Sequence, residues 1–257
     1  MAPYDVIGNI ALVKFLRGMK ITAKKGFALK FLKEHKQVTT VLEKSARIKG
    51  RLRTPTTRFI AGAKTKVALY RENGCEFLLN VDTCYFSPRL ASERAEIANL
   101  VKKGERVLVM FGGVGPFAIV IAKSAEPKEV ISVELGRECN KYALENVKRN
   151  KLRDIVEIVQ GDVRKRVPAL QGVFDRIVMA RPNLDDDFID VAFKKIKKNG
   201  LIHYYGFYEE DKVDEMKQMI AEEAKKSGKK IKILRIKKAG DIGVRKYRWR
   251  ADIRVAR

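Results

Sequence analysis

The stretch FGGVGPF, Phe111 to Phe117, follows the apolar run RVLVMF and leads straight into PFAIVIAKSA. Gly112, Gly113 and Gly115 remove Cβ atoms where a chain must turn tightly and approach a ligand, and a helix start at Pro116 offers free N–H groups. Nucleotide, flavin and adenosyl sites all use such a turn, so the glycines alone are unspecific. Two acids sharpen the reading. Glu134 ends the next apolar run, EVISVEL, nineteen residues after Gly115, where a carboxylate can accept from both hydroxyls of a ribose. Asp162 closes VEIVQGD, where a carboxylate can bond an exocyclic amine such as that of adenine. With their neighbours Leu135 and Val163, and with Phe111, Pro116 and Phe117, they form a candidate adenosyl-binding set. The plainer alternative is a glycine cluster and two strand-end acids that hold no ligand.

A dinucleotide site expects G-x-G-x-x-G, and GGVGP sets Pro116 where its third position would begin. S-adenosylmethionine fits better. It has no pyrophosphate to cradle, and its sulfonium favours nearby carboxylates or carbonyls.

These residues need a sheet to hold them. From about residue 86, helical and strand patterns alternate: ASERAEIANLVKKG with Ala95, Ile97, Ala98 and Val101 on one stripe, then RVLVMF, PFAIVIAKSA, EVISVEL, ECNKYALENVKRNKL, VEIVQGD, FDRIVMA, DDDFIDVAFKKIKKNG closed by Gly200, and LIHYYGF. Such alternation predicts an α/β fold, a parallel sheet covered by helices on both faces. A helix over EDKVDEMKQMIAEEAKKSG and two strands, KIKILRIKKA and RKYRWRADIRVA, complete a Rossmann-like, mostly parallel sheet of seven strands with an antiparallel end. Before residue 85 the grammar differs. YDVIGNIALVKF reads as one strand, AKKGFALKFLKEH as a helix with Phe27, Ala28, Phe31 and Leu32 inward, and short β-branched runs follow, separated by Gly50, Gly62 and the turn Asn73-Gly74. The expected domains are therefore a small α+β module, 1–85, and a catalytic unit, 86–257.

The formal net charge is +24, from 55 basic and 31 acidic residues, so a polyanion is the expected large partner, with nucleic acid ahead of a merely solvated surface and of an anionic membrane surface. No run approaches the roughly 20 apolar residues of a spanning helix, and no secretory signal is visible; the expectation is a soluble, cytoplasmic protein. Cys75, Cys84 and Cys139 have no C-x-x-C spacing and read as buried thiols rather than a metal site.

In the loop VMARPNLDDD, Val178 to Asp187, the three acids Asp185, Asp186 and Asp187 read as a helix cap and first turn before FIDVAF, not as metal ligands. Glu93 by itself reads as an exposed first-turn acid favoured by the helix dipole.

YFSPRLASERAEIANLV followed by MFGGVGPFAIVIAK resembles the archaeal and eukaryotic tRNA guanine-N1 methyltransferases that modify position 37, beside the anticodon. YDVIGNIALV, RENGCEFLLNV, ENVKRNKL, GDVR and LIHYY match the same family in order, so the similarity spans nearly all of the chain. The resemblance implies a class I methyltransferase behind a small RNA-contacting domain, with S-adenosylmethionine as methyl donor and the tRNA anticodon stem-loop as substrate. Family members often carry a further N-terminal domain gripping the tRNA corner. The similarity here starts at the second domain, and nonspecific phosphate contacts from the high positive charge are expected to compensate.

By the same resemblance, Glu93 matches the proposed general base, which takes the N1 proton of guanine. Arg53, in GRLRTP, matches an arginine that stabilises charge on the guanine O6; a phosphate clamp is the alternative for it. Arg89 is expected to position RNA or the loop. The chain departs from the family at two places. Val109 stands where the family usually has Asp, and Ala180-Arg181-Pro182 stands where it has Asn-Leu-Pro or similar. Ala180 is expected beside the cofactor, and Arg181, Pro182 and Asn183 beside the target base, with Arg181 stacking on it or taking a phosphate and Asn183 supplying an amide. Two further functions stay open: aminocarboxypropyl transfer in wybutosine synthesis with the same cofactor, and a tRNA-binding relative that no longer catalyses.

Overall fold

A computed structural model describes residues 2–44, 56–243 and 245–256. The chain divides into two compact units, 1–88 and 89–257, three residues beyond the boundary expected from composition.

The first unit holds a sheet in the order β1-β2-β3-β4, built from Tyr4–Ile7, Ile10–Val13, Thr40–Lys44 and Thr57–Gly62, with helix α1, Ile21–Glu34, crossing between β2 and β3. β2 and β3 are parallel and the other two pairings antiparallel. YDVIGNIALVKF is therefore a hairpin, not one strand. Gly8 has a φ of +55°, and a Cβ there would lie 1.8 Å from the Leu69 carbonyl oxygen; only glycine turns the chain at this point. The next residue, Asn9, accepts the Leu69 N–H through its side-chain oxygen at 2.8 Å. That ties the turn to a second hairpin, β5 and β6, Val67–Glu72 and Cys75–Asn80. Its turn residues, Asn73 and Gly74, both have positive φ, as a two-residue hairpin loop needs. Ala11, Val13, Phe15, Ala28, Phe31, Val38, Val41, Ile60 and Ala61 form the core.

The second unit is the seven-stranded sheet, ordered β12-β13-β11-β10-β7-β8-β9. Its strands are β7 Arg106–Met110, β8 Glu129–Glu134, β9 Val156–Gln160, β10 Phe174–Met179, β11 Ile196–Glu209, β12 Ile231–Gly243 and β13 Lys246–Val255. Every pairing from β11 to β9 is parallel, and β13 is antiparallel to both of its neighbours. The helices are α2 Ala91–Leu100, α3 Pro116–Ala125, α4 Arg137–Arg149, α5 Val163–Ala169, α6 Ile189–Lys195 and α7 Val213–Lys226. Because side chains alternate across a strand, the sheet has two chemically different faces. Leu108, Met110, Ile131, Val133, Ile177, Met179, Ile202, Tyr204, Ala251 and Ile253 form an apolar core with α5, α6 and α7. The opposite alternation carries Arg176, His203, Tyr205, Arg250 and Asp252, all buried.

Three expectations change here. α5 lies in a segment with no predicted helix; seven residues with Pro168 inside give no readable periodicity. α6 starts at Ile189 and stops at Lys195, because Ile196 already pairs with Phe174 as the first residue of β11, so Gly200 is inside a strand. In α2, Ile97, Ala98 and Val101 of the expected stripe are buried, but Ala95 is only half-buried and Glu93 and Arg94 join the buried face. A polar layer, not an apolar one, sits under its first turn.

Candidate active site

β7, β8, β9 and β10 run in register, with Met110 beside Val133, Glu134 beside Gln160 and Met179 beside Met110. Their carboxyl ends therefore share one edge of the sheet. The chain leaves β7 toward β8 on one side while β10 flanks β7 on the other, the switch point where open α/β sheets bind ligands.

Phe111 leaves β7 with φ +63°, and Gly113 and Gly115 have φ of +57° and +87°. A left-handed phenylalanine is strained, and the surrounding bonds hold it. The Gly112 N–H donates to the Val133 carbonyl at 3.0 Å, and the Gly115 N–H closes a turn onto the Gly112 carbonyl at 2.9 Å. A Cβ on Gly112 would lie 2.0 Å from the Ser132 hydroxyl oxygen, so the turn packs directly on the next strand. α3 then begins with Pro116 at its first position. Asn146 of α4 donates its side-chain N–H to the Val114 carbonyl at 3.0 Å and braces the loop from behind.

Glu134 holds this loop. Its Oε2 accepts the Gly113 N–H at 2.9 Å and its Oε1 the Gly136 N–H at 2.6 Å. Burial pushes its carboxyl above the ordinary range, against the pull of the Gly136, Gly113 and Leu135 N–H groups. A carboxylate offers about four lone-pair directions, so acceptor capacity is left for ribose hydroxyls. Asp162 takes the Arg164 N–H at 2.9 Å and caps α5, and the buried Val163 follows it. Leu135 is 36% exposed beside Glu134. Gly113, Glu134 and Asp162 thus make a cradle with acceptors at two adjacent strand tips, which suits an adenosyl group.

The loop after β10 meets the glycine loop through Phe111 and Phe188, whose rings lie 5.0 Å apart, edge to face. Ala180 is half-buried at the end of β10, and Pro182 and Asn183 are half-buried beyond it. Arg181 is buried, and its Nη2 donates to the carbonyls of Leu184 at 2.5 Å and Asp186 at 2.7 Å. Its guanidinium lies over the rings of Tyr204 and Phe207. This arginine shapes its own loop. Asp186 accepts the Phe188 N–H and Asp187 the Ile189 N–H, at 3.0 and 2.9 Å, but the N-cap of α6 is Phe188, without a side-chain cap, and its first-turn acid is Asp190; the three acids precede the helix and shape the loop instead of forming its cap and first turn. Arg164 adds a lock, with Nε and Nη2 on Asp186 and Nη1 on Asp190. Among the described residues no cluster of three or more His, Cys, Asp or Glu can hold a metal.

Glu93 is 5% exposed, which removes the exposed-acid reading. Its Oε1 accepts from the Tyr205 hydroxyl at 2.8 Å and from Arg250 Nη1 at 2.5 Å, and Lys237 Nζ lies 3.0 Å from Oε2. The Tyr205 ring packs 5.9 Å from Phe117 at the start of α3, which joins the Glu93 cluster to the glycine loop. The polar layer continues through Asp252 to His203 Nδ1, 2.6 Å away, and from His203 Nε2 to Arg176, 2.7 Å away. Arginine only donates, so Nε2 accepts and Nδ1 carries the hydrogen toward Asp252. Burial pushes the His203 pKa down, consistent with a neutral ring. Arg176 ends on Glu105. Arg89 is exposed in the short turn before α2. Val109 is fully buried in β7. Arg53 falls outside the described residues. The partners of Glu93, the α4 asparagine and Arg164 escaped sequence reasoning; the alternating polar residues in HYY and RWRAD were the available signal.

A seven-stranded sheet with one reversed strand, a glycine turn after its first strand and acids at the next two tips defines a class I methyltransferase. The family model described as TRM5/TYW2 methyltransferase domain matches residues 68–234. The chain belongs to this family. The tRNA (guanine(37)-N(1))-methyltransferase Trm5b of Pyrococcus abyssi is 37% identical over 255 residues, 98% of this chain and 74% of that protein. Its crystal structure matches with a TM-score of 0.88 at 34% identity, covering 99% of this chain and 75% of that one. The tRNA (guanine(37)-N(1))/4-demethylwyosine(37)-methyltransferase Taw22 of Nanoarchaeum equitans is 32% identical over 300 residues, 97% of this chain and 98% of that protein. TYW2 of P. horikoshii, solved in complex with MeSAdo, matches with a TM-score of 0.84 at 26% identity over 99% of this chain and 90% of that one.

Proposed function

We propose that this chain transfers the methyl group of S-adenosylmethionine to N1 of guanine 37 in tRNA. The observation that carries the reading is Glu93, a buried carboxylate held by two hydrogen bonds and an ion pair next to the helix that begins at the glycine loop. N1 of neutral guanine carries a proton and is a poor nucleophile, so transfer needs a base to remove it, a task that a carboxylate held near N1 can perform. Bound S-adenosylmethionine supplies an electrophilic methyl group. The residues that would hold it are Phe111 to Phe117, Glu134, Leu135, Asp162, Val163 and Ala180. Glu134 fixes the loop backbone and offers acceptors to a ribose, and Asp162 offers one to an exocyclic amine. Pro182 and Asn183 would border the base, Arg89 would contact the RNA, and Arg53 would stabilise charge on O6. Arg181 acts by holding the loop shape rather than by stacking on the base. The relatives' names support guanine 37 as the target.

The test is incubation of the full chain with unmodified tRNA and cofactor labelled on the methyl or on the carboxyl carbon. Methyl label alone is expected in RNA. Carboxyl label would mean aminocarboxypropyl transfer, and tRNA binding with no label a non-catalytic binder. No helix among the described residues is long and apolar enough to cross a membrane, and the net charge of +24 favours a polyanion. Binding of tRNA should therefore weaken steeply between 50 and 200 mM salt, by roughly 10²-fold or more; a flat response in filter binding would remove phosphate contacts as the main source of affinity.

A further inference from the structure

We infer that Tyr205 and Arg250 fix Oε1 of Glu93 while Lys237 steadies Oε2, and that this clamp presents Oε2 to the proton on the substrate nitrogen. The inference rests on Glu93 being the base. Tyr205, Arg250 and Lys237 sit directly opposite one another on three adjacent strands, β11, β13 and β12. Tyr205 and Arg250 belong to the buried polar face under α2, and all three side chains converge on Glu93.

The two oxygens of Glu93 are held differently. Oε1 receives the Tyr205 hydroxyl and the Arg250 guanidinium, and these residues are 1% and 0% exposed. Arg250 is itself fixed by Asp252 and Glu96, so this end of the carboxylate has no room to turn. Oε2 faces Lys237, whose side chain is 22% exposed on the edge strand and which also contacts Glu96 Oε2. Lys237 therefore has a second acceptor to keep when Oε2 is claimed by substrate. In the step itself the N1–H bond breaks and an O–H bond forms on Oε2, while the freed electron pair on N1 takes the methyl group and the methyl–sulfur bond of the donor breaks, its electron pair staying on the sulfur of the departing thioether. The Lys237 ammonium keeps its ion pair with Glu96. Tyr205, Arg250 and Lys237 are positioning residues, since they act through Glu93. The Tyr205 ring also touches Phe117, which ties the aim of the base to the helix that follows the glycine loop.

The test uses the full chain with single-turnover methyl transfer at saturating cofactor and tRNA. Tyr205→Phe deletes one hydrogen bond and keeps the ring; it should lower the rate about tenfold, with the cofactor Kd and the tRNA KM unchanged. Lys237→Gln should lower the rate several-fold, and Lys237→Arg should restore most of it. In the Glu93→Gln background Tyr205→Phe should add nothing, because the clamp acts on a base that is already gone. A wild-type rate for both Tyr205→Phe and Lys237→Gln, or a full extra loss from Tyr205→Phe in the Glu93→Gln background, overturns the clamp while leaving the base in place. A wild-type rate for Glu93→Gln itself overturns the base and the clamp with it.

Discussion

Glu93→Gln is expected to lower methyl transfer by roughly 10²-fold or more, as for loss of a general base, with little change in cofactor affinity. Glutamine keeps the volume and an acceptor for Tyr205 or Arg250 but cannot take a proton from N1. The variant also removes a negative charge facing Arg250, which is fully buried. Breaking a buried pair costs about 3–5 kcal/mol of stability. Asp252 and Glu96 still face Arg250, so the loss should fall toward the lower end of that range. Thermal unfolding of the variant separates the two effects: a folded protein that binds cofactor and does not transfer methyl supports the base, and an unchanged rate removes Glu93 from the chemistry.

Glu134→Gln is the second large effect. It should weaken S-adenosylmethionine binding by roughly 10²-fold, since charge-assisted hydrogen bonds contribute about 1.5–3 kcal/mol each and the amide turns one acceptor into a donor facing a backbone N–H. Gly113 and Gly136 would each lose a charged partner, so the loop loosens as well as the ribose contact. Acidification adds a second readout. Burial raises the Glu134 carboxyl above its ordinary value, so it protonates at a higher pH than an exposed glutamate. Binding to the native protein should then weaken as pH falls through that raised value, while binding to the glutamine variant stays flat. Calorimetric titration at several pH values checks both. A variant Kd within threefold of the native value would remove Glu134 from the cofactor site.

The cofactor half of the site was legible in the sequence because its signals are local. The glycine loop runs straight from β7 into α3, whose bounds, Pro116–Ala125, coincide with PFAIVIAKSA, and Glu134 and Asp162 lie at or just beyond two strand ends. The Asn73-Gly74 hairpin was equally plain, for the same reason. The base half was not legible. Glu93 meets Tyr205 and Arg250 across 112 and 157 residues, and no periodicity in ASERAEIANL announces a buried carboxylate. Resemblance pointed to Glu93, but only the fold supplied its partners. Local reasoning failed in both directions around β10. It missed the helix carrying Arg164, and it carried α6 on to Gly200 because Lys194 to Lys198 look like a helix end, although Ile196 is taken by the sheet. Arg181 looked like a group waiting for RNA; burial and two carbonyls of its own loop give it a structural task instead.

Nucleoside analysis of tRNA after incubation with the full chain and methyl-labelled S-adenosylmethionine tests the central claim most directly. The account predicts label in 1-methylguanosine at position 37, absent from tRNA lacking guanine there and strongly reduced with Glu93→Gln. Label at another atom or position, or transfer of the carboxyl-labelled chain in its stead, would contradict it.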